Sequence, residues 1–376
     1  MRLTRIELHD LSLPLAEPFI ISGGTMTVRR SLVVILHDDA GHLGYGESPP
    51  FELPFYSEET LGSARLLLAE VLMPRLLDRE LDGPEAVDAA LRQGVRGNPF
   101  ARAALETAAW DLEAHRRGTG IAALLGERLG VRPAASIRCG VALGIPPDRS
   151  TDALRRWIDE ALALGYRRVK IKVAPGWDAE PVAAARRALE GSGIPLTVDA
   201  NGGYEWPRHE SNLRGLDDAG LLYIEQPLAP DELVGHVRLS QTLRTPVCVD
   251  ESLHGATAAR ELAELGGPRV WNVKVHRMGG LTEVCRVVTI AREHGAELWA
   301  GTMPESGLGS QAALAAAALP EFVYPSDLEP SARWFGPGAD LIELRMGADG
   351  TMEVPAQSIA ARLDQAVFRR ASRRLH

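Results

Sequence analysis

Val169-Lys170-Ile171-Lys172-Val173 alternates apolar and cationic side chains without interruption. Successive side chains of a strand point to opposite faces. Lys170 and Lys172 therefore share one face, and Val169, Ile171 and Val173 share the other. If the branched apolar face packs against helices, as the outside of a barrel sheet does, the two ammonium groups point inward. The surrounding sequence supports that setting. Short β-rich runs at Ile137–Leu143, Arg168–Val173, Leu196–Ala200, Leu221–Glu225, Val247–Asp250, Val270–Val275, Glu297–Thr302 and Phe322–Tyr324 alternate with Ala/Leu/Arg-rich helical stretches, among them Thr151–Leu164, Glu180–Leu189, Asp231–Leu243, Ala256–Leu265 and Leu281–His294. Alternating strand and helix implies an α/β fold with a parallel sheet. Eight repeats of the unit imply a closed barrel.

The regions flanking the repeats have a different pattern. Leu3–Leu13 alternates as a half-buried strand does, and Arg30–His37 and Gly44–Glu47 flank a turn at Asp38-Asp39-Ala40-Gly41. Helical patterns follow from Ser57 to Leu68 and from Pro99 to Arg117. Residues 1–125 thus read as an α+β domain and 126–325 as the barrel. The last stretch, 326–376, is expected to return to the first domain. A chain of 376 residues with 45% apolar and 24% charged side chains has enough core for this arrangement and is not disordered. Its net charge of −9 argues against a nucleic-acid surface. Three dispersed cysteines, Cys139, Cys248 and Cys285, give neither a disulfide framework nor a thiolate metal site. The charged start and the absence of a long apolar segment make a cytosolic protein the expectation, with no membrane partner.

Charged residues recur at the ends of consecutive strands. Lys172 is followed by Asp199, Glu225, Asp250 and Lys274, at intervals of 27, 26, 25 and 24 residues. Each interval is about one strand-helix unit, so each residue falls at the carboxyl end of the next strand, where barrel enzymes place their chemistry. Three carboxylates brought together repel one another and are costly to bury unpaired. A hard divalent cation resolves this, Mg²⁺ first and Mn²⁺ second. Lysines on either side of such an ion are expected to have lowered pKa values and to serve as bases. A single strand-end charge is ordinarily a surface ion pair, but five in this order point to a catalytic set.

At these residues the sequence resembles the enolase superfamily, in its muconate-lactonizing subgroup, nearest the N-acylamino acid racemase / o-succinylbenzoate synthase family. The matching stretches are Tyr166-Arg-Arg-Val-Lys-Ile-Lys, Pro175-Gly-Trp-Asp-Ala-Glu-Pro, Val198-Asp-Ala-Asn201, Ile224-Glu-Gln-Pro-Leu, Asp250-Glu-Ser and Asn272-Val-Lys-Val-His-Arg-Met-Gly-Gly. The resemblance implies a (β/α)₇β modified TIM barrel with an N-terminal α+β capping domain. It implies that Asp199, Glu225 and Asp250 bind Mg²⁺, that Lys172 and Lys274 are the acid/base pair on opposite faces of the substrate, and that Lys170 supports the site. It further implies a small carboxylate substrate and a homo-oligomer.

Substrate contacts are expected from the cap loops Pro18–Met26, with Ser22, and Pro49–Tyr56, with Phe51 and Tyr56. From the barrel, Asn201, Arg277, Met303 and Glu305 are candidates. Arg277, three residues after Lys274, matches an arginine of the racemase-type members. The loop Gly301–Ser310 departs from the family pattern at Thr302, Pro304 and Ser310, and Gln311 departs just after it. These departures leave the substrate open. The expected activity is α-proton abstraction from a carboxylate: N-acyl (N-succinyl) amino acid racemization, o-succinylbenzoate synthesis, or both. Dipeptide epimerization and muconate cycloisomerization are the alternatives, with Asp327 and Glu329 standing where epimerases carry a recognition pair. A catalytically silent small-acid-binding barrel is the alternative of a different class.

Overall fold

The computed structural model describes residues 1–21 and 24–376, and Ser22, one of the expected substrate contacts, lies outside them. Three antiparallel strands, β1 (Leu3–Ile21), β2 (Gly24–Asp38) and β3 (Leu43–Ser48), open the chain. β1 continues past the expected end at Leu13. Its continuation carries no apolar alternation because residues 14–19 are exposed or half-buried, with little core to cover; Pro14 and Phe19–Ile21 pair with β2, and the register shifts between Pro14 and Phe19. The helix Pro99–Arg117 lies across this sheet, close on β3, where a Cβ at Gly46 would come within 2.0 Å of the Ala104 carbonyl. The shorter helix starts at Leu61 rather than Ser57, because Thr60 and Ser63 form a capping box. Glu59 instead caps the long helix, accepting from the N–H groups of Phe100 and Ala101, each at 2.8 Å.

The expected first barrel strand divides in two. β4 (Ser136–Arg138) pairs with the late strand β12 (Thr351–Glu353) beneath the barrel, and β5 (Val141–Leu143) enters the barrel. Six parallel strands follow: β6 (Val169–Lys172), β7 (Leu196–Asp199), β8 (Ile224–Glu225), β9 (Val247–Val249), β10 (Val270–Val273) and β11 (Glu297–Ala300). They are hydrogen-bonded in chain order. Residues 322–326 close the ring as an eighth stave through parallel bridges from Phe322 to Leu298 and from Ser326 to Cys139. A helix follows each of the first seven staves, so the barrel is (β/α)₇β with an N-terminal antiparallel capping sheet. Val169, Ile171 and Val173 are buried in the layer between strands and helices.

The terminal segment serves both parts. Asp327 turns into the barrel, while β13 (Ser372–Arg374) pairs with β1 at the edge of the cap sheet. Cap and barrel are further joined by Glu106 of the long cap helix. Its carboxylate accepts from Leu281 and Thr282 N–H, both at 2.7 Å, at the start of the barrel helix Leu281–His294. A helix N-terminus favours an anion there. Gly280 makes the approach possible, because it has φ 121° and a Cβ on it would lie 2.0 Å from Glu106 Oε2. Gly280→Ala is expected to cost about 1–3 kcal/mol or more through overpacking and strain. The urea midpoint would fall accordingly. An unchanged midpoint would show that this junction yields without cost. Among the described residues, no helix is long and apolar enough to cross a membrane.

Candidate active site

The ends of the second to sixth staves carry Lys172, Asp199, Glu225, Asp250 and Lys274 on neighbouring strands, with Lys172 opposite Asp199 and Asp199 opposite Glu225 in register. Lys170 lies one pleat deeper in the barrel. Its ammonium is 2.7 Å from Asp327 Oδ2, 3.0 Å from Glu225 Oε2 and 3.6 Å from Asp199 Oδ2, and it sits over the Trp299 ring. Below it, Arg168 donates to Asp327 and, at 2.8 Å, to the Tyr223 hydroxyl. Lys172, at the mouth, donates to Asp199 Oδ2 at 2.6 Å and to Asn201 Oδ1. Lys274 donates to Asp250 Oδ2 at 2.8 Å and to the Tyr56 hydroxyl at 3.1 Å.

The three acids stand at adjacent stave ends, but among the described residues no three His, Cys, Asp or Glu side chains are grouped to hold a metal ion as they are placed. Asp199 is drawn to Lys172, and Asp250 to Lys274 and Arg277. The residues nonetheless fit a hard cation. Their donor atoms are all carboxylate oxygens, and the buried Glu225 Oε2 receives no hydrogen bond, Lys170 being near it but out of line. Burial, and then the neighbouring Asp199 charge, push the Glu225 pKa up to about 8. Burial acts in the same direction on Asp199 and Asp250, but Lys172 and Lys170 outweigh it at the first, and Arg277 and Lys274 at the second, holding both low.

The expected lowering of the lysine pKa values depends on the field of a cation; the protein groups alone act in the other direction on Lys170 and Lys274. Burial lowers both, but Asp327 and Glu225 raise the first, and Asp250 and Tyr56 raise the second, above the ordinary range. Without a competing cation, the aspartates stabilise the ammonium forms.

The expected substrate contacts fall into two groups. Tyr56, Asn201 and Arg277 touch the charged set. The Tyr56 hydroxyl accepts from Lys274 and, at 3.0 Å, from Arg277, so this cap loop reaches the sixth stave. Asn201, in the left-handed region at φ 43°, links Lys172 to Glu251 through its Nδ2 at 2.9 Å. Arg277 is buried rather than at the surface, and donates to Asp250, Asn272 O and Leu253 O. Phe51 and Met303 pack with Phe100 in an apolar cluster beside Phe55 and Tyr56. Glu305 is buried and turned back on its own loop, accepting from Met303 N–H, with His276 Nδ1 4.0 Å away. Of the departures, Ser310 and Gln311 are buried and Thr302 and Pro304 half-buried; Thr302 donates to Asp327 O, and Gln311 to Gly307 O.

Several residues of the site were not anticipated. Arg168 and Asn272 each stand two residues before a lysine on the same face of its strand, so the alternation that singles out Lys170 and Lys274 also points to them. Gln226 is buried, with its Oε1 accepting from Asp250 N–H at 2.8 Å and Ser252 N–H at 3.2 Å, which ties the fourth stave end to the fifth. Arg29 of β2 is a buried guanidinium whose donors reach carbonyls of Pro49, Pro50, Met303 and Pro304. No local pattern marks these last two.

Comparison with known proteins agrees with this architecture. A family model described as the mandelate racemase / muconate lactonizing enzyme N-terminal domain matches residues 5–126, and one described as enolase C-terminal domain-like matches residues 153–358. N-succinylamino acid racemase of Thermus thermophilus is 44% identical over 356 residues, 94% of this chain and 93% of the relative. The o-succinylbenzoate synthase of Bacillus subtilis is 37% identical over 335 residues, 89% of this chain and 87% of the relative. The crystal structure of an enolase-superfamily member from Enterococcus faecalis superposes with a TM-score of 0.90 at 33% identity, covering 100% of this chain and 99% of that one. A cap joined to a (β/α)₇β barrel, with acids and lysines at consecutive stave ends, and these matches across nearly the whole length lead to one assignment: the chain belongs to the enolase superfamily.

Proposed function

We propose that the protein removes the α-proton of a carboxylate substrate with Mg²⁺ bound by Asp199, Glu225 and Asp250, and that it racemizes N-acyl, in particular N-succinyl, amino acids, forms o-succinylbenzoate, or does both. The observation that carries this reading is the placement of Lys172 and Lys274. They end the second and sixth of eight staves, hence opposite sides of the mouth, with the three acids on the staves between them. The bound cation would offset the charge that develops on the carboxylate as the proton leaves. Lys172 and Lys274 hold the proton on either face: one takes it and the other returns it, which inverts the centre. Where the substrate carries a leaving β-hydroxyl, one lysine can protonate that group instead, which gives dehydration. The names of the similar racemase and synthase support both outcomes.

Dipeptide epimerization receives less support. Asp327, the acid that would read a dipeptide, is committed to Arg168 and Lys170. Members of the superfamily generally use Mg²⁺, and the all-oxygen donor set supports the same ion here. Incubation of N-succinyl amino acids in D₂O should place deuterium at Cα and scramble the configuration, and the o-succinylbenzoate precursor should be dehydrated. A chain that neither exchanges nor dehydrates with Mg²⁺ present does not have this function.

Arg29 bears on substrate fit. It clamps the cap loop at Pro49–Pro50 to the barrel loop at Met303–Pro304 and lies 5.0 Å over the Phe51 ring. Arg29→Met leaves those buried carbonyls without donors, at about 1–3 kcal/mol. KM should rise about tenfold or more, with kcat less affected, because the reacting groups are untouched. A kcat loss at constant KM would contradict the assignment.

A further inference from the structure

Asn272 lies on the sixth stave with its side chain wholly buried inside the barrel. Its Nδ2 donates to Glu225 Oε1 at 2.8 Å, across from the fourth stave. Glu225 Oε2 is left without a hydrogen bond, and so is Asn272 Oδ1. A buried carboxylate held at one oxygen has its other oxygen fixed in direction; Oε2 has the Lys170 ammonium 3.0 Å away but accepts no hydrogen bond, so a lone pair remains on it for a cation. Outer partners that orient a ligating carboxylate commonly set metal affinity as strongly as they set geometry.

A second observation concerns Gly301 on the adjoining seventh stave end. A Cβ at that position would lie 2.3 Å from Asn272 Oδ1, 2.9 Å from its Nδ2 and 2.9 Å from Lys274 Cε. The glycine thus makes the space that Asn272 occupies while it reaches Glu225.

We propose that Asn272 is a positioning residue for the cation site, holding Glu225 by Oε1 so that Oε2 is presented to the ion, and that Gly301 is required to accommodate it. This rests on the function proposed above. A carboxamide is suited to the task, because it donates to Glu225 without adding a further negative charge to the cluster.

Mg²⁺ binding, measured by calorimetry on the purified chain without substrate, tests the proposal. Asn272→Ala and Gly301→Ala should each weaken binding by about 10–100-fold, the second because its methyl group displaces an intact Asn272. In the double variant the Asn272 side chain is gone and only the Lys274 Cε contact remains, so the loss should be smaller than the two single losses combined and the effects non-additive. Far-ultraviolet circular dichroism confirms that each variant is folded. If Asn272→Ala misfolds, Asn272→Leu, with similar shape and no donor, should show the same loss. A folded Asn272→Ala or Asn272→Leu that binds Mg²⁺ like the parent overturns the proposal, as does full additivity in the double variant. A parent chain that binds no Mg²⁺ overturns the proposed function itself.

Discussion

Lys172→Ala and Lys274→Ala should each abolish racemization while leaving hydrogen exchange into one enantiomer. The two lysines face each other across the barrel mouth from the second and sixth staves. On the proposed function, each acts on the α-hydrogen on its own side. With one lysine gone, the other still removes the hydrogen that faces it and returns a solvent hydrogen to the same face. The result is deuterium entry with retention, for one enantiomer in one variant and for its mirror image in the other. Loss of a positioned acid/base group lowers the rate by about 10²–10⁴-fold, so racemization should fall at least that far in both variants. Proton NMR in D₂O on each enantiomer separately reads both quantities. Lys172→Arg is the structural control: it keeps a cation beside Asp199 and Asn201, where Lys172 now donates, but a guanidinium does not give up its proton. Variants that still exchange both enantiomers, or a Lys172→Arg variant that still racemizes, would remove the two-base assignment.

The parts of this arrangement that were legible in the sequence are those governed by local periodicity. The alternation from Val169 to Val173 oriented Lys170 and Lys172, and the steady spacing from Lys172 to Lys274 placed each charge at a stave end. Contacts between distant elements were not legible. Glu59 looked like part of a helix start because its neighbours are polar, yet it caps another helix some forty residues on in the chain. Asp327 stood, with Glu329, where the resemblance puts the recognition pair of epimerases, yet Arg168 and Lys170 hold it inside the barrel. Arg29 carries no local signal at all, since its partners are backbone carbonyls of two separate loops. The convergence of the three acids was inferred from their order. In the structure Asp199 pairs with Lys172, and Asp250 with Lys274 and Arg277, partners that their order along the chain does not reveal.

That pairing determines what removal of divalent ions should do. Chelation is expected to stop exchange and racemization completely, and Mg²⁺ to restore both. An ammonium group paired with a buried aspartate keeps its proton and is no base, which is the situation of Lys274 beside Asp250. A divalent cation competes with the lysines for the same oxygens. Binding should also raise the melting temperature, since an ion at one hundred times its Kd adds about 2.7 kcal/mol to the folded state. Glu225→Gln separates the ion's effect from that of the fold. Lys170 keeps Asp327 at 2.7 Å and Asp199 at 3.6 Å, so loss of the Glu225 charge leaves no buried cation unpaired. The ion-free variant should therefore melt no lower than the ion-free parent, yet show little or no rise with Mg²⁺ and little or no activity. Full turnover after exhaustive chelation, or a Glu225→Gln variant as responsive to Mg²⁺ as the parent, would mean that the acids on the third to fifth staves serve some purpose other than holding a cation.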